Sequence, residues 1–114
     1  MEVTGIMAAK TIPNDVKEKV RGVVDRFNER ELGEWPIAYS ARFRGRYLYL
    51  DRDDGAGPGP ICRLAYTGDM GKWEFAIYKY STDRYDPDEC WFPGEDEVDG
   101  TVEGALRAGM QAYG

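Results

Sequence analysis

Histidine is absent from all 114 residues. That absence excludes Ser-His-Asp and Cys-His relays, His-ligated zinc and imidazole acid–base chemistry together. Cysteine is scarce: Cys62 and Cys90 stand apart, with no C-x-x-C pair. They read as two reduced thiols in a cytoplasmic protein, without a disulfide framework. No run of about 18 apolar residues occurs, so no membrane-spanning helix is expected. The opening MEVTGIMAAKTIP has no basic stretch leading into an apolar one, so it does not read as a signal peptide.

The glycine-rich loops also lack what cofactor chemistry needs. "GDMGKW" has the wrong spacing for a phosphate loop, with Trp73 where the hydroxyl should stand. "GAGPGP" lacks the third glycine of a dinucleotide fingerprint, and its prolines prevent it from opening a helix. "DRDDG" places Asp51 and Asp53 where a calcium loop starts, but the bidentate acid falls on Cys62. No cofactor, metal or catalytic residue is therefore expected.

What is present is the composition of a folded chain. Hydrophobic residues make up 42% and aromatics 13%, too much apolar surface for disorder. The length fits a single domain over 1–114, with residues 1–11 as a loose N-terminal arm without a periodic pattern. The net charge is −6 and is unevenly spread. Residues 1–49 carry nine basic and seven acidic side chains, and residues 50–114 carry six and fourteen. That balance disfavours generic binding to nucleic acid or anionic membranes.

Periodicity supplies the elements. From Pro13 to about Leu32, Val16, Val20, Val23, Val24 and Phe27 form one helical stripe, with Pro13 at its first position and Gly33 as its stop. "WPIAYSARF", "RYLYLDR", "ICRLAYTG" and "KWEFAIYKYS" alternate as strands, with a tight turn at Arg44-Gly45 and a surface loop over 53–60. A last helix runs from about Thr101 to Tyr113, with Gly104, Ala108 and Ala112 in a row. The expected fold is α+β: a four-stranded antiparallel meander with both helices on one face, in the order α-β-β-β-β-α.

Three groups of residues invite a functional reading. "DECWFPGEDEVDG" gathers Asp88, Glu89, Glu95, Asp96, Glu97 and Asp99 without any known metal-ligand spacing. It reads as a solvated arm compensating the dipole of the last helix, with Asp99 as its cap. Trp91 and Phe92 are expected to fold back over the core edge. Tyr78, Tyr80 and Trp91 could line an aromatic pocket for a small molecule or substrate. Arg42, Arg44 and Arg46, with Tyr47 and Tyr49, interleave charge and rings around one hairpin, as single-stranded nucleic-acid binders do. The leading reading is a non-catalytic binding or protein-interaction module. The small-molecule carrier or enzyme comes second, and the single-strand binder third. Pairing the strands in chain order leaves "KWEFAIYKY" at an edge. With the small-residue row, that edge suggests a homodimer.

"ICRLAYTG", "KWEFAIYKYS", "WFPG" and "GTVEGAL" together resemble a small prokaryotic family of domains of unknown function. The resemblance spans roughly residues 36–114. It implies a compact uncharacterised domain and carries over no activity or catalytic residue.

Overall fold

The computed structural model describes residues 11–89 and 91–113, so most of the expected N-terminal arm lies outside the described residues. Helix α1 spans Asn14–Phe27, and its valine stripe with Phe27 is buried. Pro13 sits one residue outside the helix in an extended conformation rather than at its first position. Its carbonyl still accepts the first helical hydrogen bond, from Lys17 at 3.0 Å. Past Phe27 the helix widens into a π turn over Asn28–Leu32 and stops at Gly33, whose φ of +50° suits glycine. The widened turn begins at Asn28, a residue with a specific task. Its side-chain oxygen accepts the Tyr39 N–H, and its amide donates to the Tyr39 carbonyl, both at 2.9 Å. A side chain thus takes the place of a neighbouring strand at the open edge of the sheet.

The sheet is an antiparallel meander of five strands: β1 Ala38–Arg44, β2 Tyr47–Asp53, β3 Pro58–Ala65, β4 Glu74–Lys79 and β5 Arg84–Asp86. The first hairpin turns at Gly45-Arg46, not Arg44-Gly45. Gly45 takes φ +61° at the first turn position, which the twist of a two-residue hairpin demands.

Two expectations about the strands fail for physical reasons. The loop expected over 53–60 ends early, because β3 already begins at Pro58. Pro58 and Pro60 are tolerated because β4 pairs only with Cys62–Ala65, leaving the start of β3 bonded on one side alone. The second failure is β5, a three-residue strand with one hydrophobic residue, too short to show an alternating pattern. Because β5 pairs with Ile77–Lys79, β4 is not the sheet's outer edge.

A bulge between Leu50 and Asp51 leaves Ile61 unpaired opposite them. Ile61 and Cys62 are consequently both buried, which strict alternation would forbid. Helix α2, Val102–Tyr113, lies beside α1, and both share one core with Leu48, Leu50, Cys62 and Leu64. The helices therefore occupy the same side of the sheet. Thr101, rather than Asp99, caps α2: its hydroxyl accepts the Gly104 N–H at 3.0 Å. Asp99 acts one step back, accepting from the Thr101 N–H and hydroxyl at 3.0 and 2.6 Å. That hydroxyl hydrogen bond holds the Asp99 carboxyl below the usual aspartate range.

The small residues of α2 serve the chain's own packing. A Cβ on Gly104 would sit 2.6 Å from the Glu97 carbonyl, and one on Gly109 would sit 2.6 Å from the Ile61 side chain. Strand β5 thus covers the β4 edge over Ile77–Lys79, and two members of the small-residue row, Gly104 and Ala108, are buried within the chain.

Candidate binding face of the sheet

Alternation that sends Tyr39, Ala41, Phe43, Leu48 and Leu50 towards the helices sends their neighbours to the other side. That second side bears Arg42 and Arg44 from β1, Tyr47, Tyr49 and Asp51 from β2, and Arg63 from β3. It continues with Tyr78 from β4 and Tyr85 from β5. The register aligns them: Arg42 opposite Tyr49, Tyr49 opposite Arg63, and Tyr78 opposite Tyr85. No described helix covers this face.

The side chains form a continuous lattice. The Arg42 guanidinium lies 4.8 Å from the Tyr49 ring centre, and that of Arg63 lies 4.5 Å from Tyr47 and 5.7 Å from Tyr85. Arg46, in the hairpin turn, stands 5.5 Å from Tyr47. Tyr49 meets Tyr85 edge-to-face at 5.3 Å, and Tyr85 meets Tyr78 in the same way at 5.0 Å. Strands β2 and β5 are separated by two others, so Tyr49 and Tyr85 reach each other only by leaning across β3 and β4. Ala76, buried on β4 next to Arg63, leaves room for that. Such edge-to-face and cation–ring contacts contribute about 0.5–1.5 kcal/mol each beyond area burial.

Asp51 lies beneath the lattice, 5% exposed. Arg42 donates to both its carboxylate oxygens, at 2.7 and 3.2 Å, while remaining more than half exposed itself. The Asp51 hydrogen bond raises the Arg42 pKa further. Burial raises the Tyr85 hydroxyl's pKa, and the Asp51 charge adds to that effect. Arg46 makes a long, exposed contact to Glu74 at 3.4 Å. Arg63 has no carboxylate within ion-pair distance among the described residues. The face therefore combines packed rings with guanidiniums of unequal neutralisation.

The residues singled out from the sequence divide accordingly. Arg42, Arg44, Tyr47 and Tyr49 share the face, with Arg46 at its hairpin end and Tyr78 at its far side. Tyr80 meets Tyr78 edge-to-face at 4.9 Å and Tyr113 at 5.4 Å, and its hydroxyl donates to the Pro60 carbonyl at 3.1 Å. Trp91 is 82% exposed and does not fold over the core; Phe92 does, stacking on Phe75 at 5.7 Å. Tyr78 and Trp91 border an open hollow of about 310 Å³, and Tyr80 borders another of about 300 Å³. The three thus share no enclosed cavity. Arg63 and Tyr85 escaped the sequence reading. Arg63 was within reach by counting alternation along "ICRLAYTG", whereas Tyr85 belongs to the strand that leaves no pattern.

The acidic stretch is occupied with structural contacts. Glu97 accepts from Arg107 at 3.0 Å and Gln111 at 3.1 Å, and Glu89 accepts from Lys79 at 2.7 Å and the Trp91 N–H at 3.0 Å. The Lys79 hydrogen bond lowers the Glu89 pKa, and the same bond raises that of Lys79. Among the described residues no cluster of three potential metal ligands occurs, and no helix is long and apolar enough to cross a membrane. Comparison of the chain with protein-family models, curated proteins and solved structures gives no match.

Proposed function

We propose that the protein is a non-catalytic binding module whose contact surface is the uncovered face of the sheet. The carrying observation is the tyrosine–arginine lattice on a side that no described helix covers. Tyrosine and arginine are the side chains that most often carry contact energy at interfaces, since each combines large area with directional polarity. Fixing them in advance against one another removes part of the ordering entropy that binding otherwise loses. The absence of histidine and the composition of the face both argue for recognition rather than turnover.

The test is capture from a concentrated cell extract on immobilised protein, with retained proteins and nucleic acids both identified. The reading expects a species held by the wild type and by Trp91→Ala, but lost from Tyr49→Leu and Arg63→Gln. Identical profiles for all four would overturn it.

A further inference from the structure

We infer that the occupant of this face is a single-stranded nucleic acid, an inference that rests on the binding-module reading above. Two properties of the face point to that class together. Its charge is locally opposite to that of the molecule: Arg42, Arg44, Arg46 and Arg63 stand against Asp51, Glu74 and Asp83, which accepts from the Tyr78 hydroxyl, in a chain of net charge −6. Two of the remaining acids are tied down on the helix side, where Glu97 and Asp99 pair with Arg107. At about 0.1 M salt the field of such distant charges is screened beyond about 10 Å, so the local arginines dominate at contact.

The second property is the rings. An acidic peptide needs only the arginines, whereas this face places Tyr47, Tyr49, Tyr78 and Tyr85 among them. Bases stack on tyrosine and on guanidinium planes without regard to sequence, and the phosphates between them seek the arginines. A duplex hides its base faces and cannot use the tyrosines, so selectivity for single strands follows. Asp51 neutralises Arg42 and Glu74 pairs with Arg46, which leaves Arg44 and Arg63 for about two phosphates.

Fluorescence anisotropy of labelled oligothymidylate and oligouridylate of roughly 12 nucleotides tests this on the full chain. Saturable binding is expected, at least about tenfold tighter than to the matching duplex, which offers no open base faces. Two neutralised phosphates predict about sevenfold weaker binding when salt rises from about 50 to about 200 mM. Tyr47→Leu and Arg63→Gln should each weaken binding at least about fivefold, and Trp91→Ala should not. Arg44→Gln, an exposed change, supplies the same test should the others unfold, with circular dichroism as the check.

No binding at protein concentrations on the order of 100 µM overturns the inference, as does equal binding to duplex or heparin. Binding indifferent to the face variants overturns it equally. If oligonucleotides fail but a protein is captured through the face, this inference falls while the binding-module reading stands.

Discussion

Replacing each helical glycine by alanine separates propensity from packing, because the three sites differ in what a Cβ would meet. In an open helix the exchange stabilises by about 1 kcal/mol. Gly22 approaches that case: its Cβ would lie 3.3 Å from the mobile end of Arg26. Gly22→Ala should therefore stabilise by about 0.5–1 kcal/mol. At Gly104 the obstacle is the Glu97 carbonyl at 2.6 Å, with the Asp99 carboxylate closer still. Neither can withdraw easily, since Asp99 orients the Thr101 cap and Gly94, in the same turn, packs on the Ala108 backbone. Overpacking of that kind costs about 1–3 kcal/mol, and the lost cap adds about 1 kcal/mol. Against the gain in propensity, Gly104→Ala should destabilise by about 1–3 kcal/mol net. Gly109→Ala meets the Ile61 branch methyl instead, and Ile61→Leu moves that branch away, so the double variant should recover part of the loss. Urea unfolding of these four variants, with Ile61→Leu and wild type as references, measures all of this. A stabilised Gly104→Ala, matching Gly22→Ala, would refute the close approach of the 94–99 turn to α2.

Further outcomes follow from the buried and hydrogen-bonded groups. Arg42→Ala should destabilise more than Asp51→Asn, by about 1–3 kcal/mol against under 1, because only the former strands a buried carboxylate; urea midpoints decide the order. Asn28→Ala removes two hydrogen bonds to the buried Tyr39 backbone and should cost about 1–3 kcal/mol by the same measurement. Cys62 is fully buried and its thiol pKa is pushed up strongly by desolvation, so a thiol reagent near neutral pH should modify it only after unfolding, as peptide mass mapping can show. Asp99 has a lowered pKa, so its contribution is present above the ordinary carboxylate range and is lost as pH falls through its folded value. Wild type should thus exceed Asp99→Asn in stability at about pH 6, with the gap closing towards about pH 3.

Long periodic segments were legible and short or exceptional ones were not. The valine stripe of α1 and the alternation of β1 and β2 each repeat over several residues, so chance cannot easily mimic them. Strand β5 offers three residues, and its pairing is fixed by the turn before it, where Asp83 takes a positive φ and its side chain accepts from the Tyr78 hydroxyl. The start of β3 was hidden because prolines usually signal a loop, and only the missing strand beside it makes them acceptable. The site was half legible. Arg42, Arg46, Tyr47 and Tyr49 lie in one hairpin, where local spacing predicts their proximity. Joining them to Arg63, Tyr78 and Tyr85 requires the register of strands β2 to β5, which no local pattern encodes.

Amide chemical-shift mapping by NMR during titration with a short single-stranded oligonucleotide bears most directly on where this protein makes contact. Shifts should concentrate at Arg42–Tyr49, Arg63, Tyr78 and Tyr85, leaving the α1 residues Val16–Phe27 unmoved. Shifts centred on the helices or on Trp91, or none at saturating ligand, would contradict the assignment of the open sheet face as the binding surface for single strands.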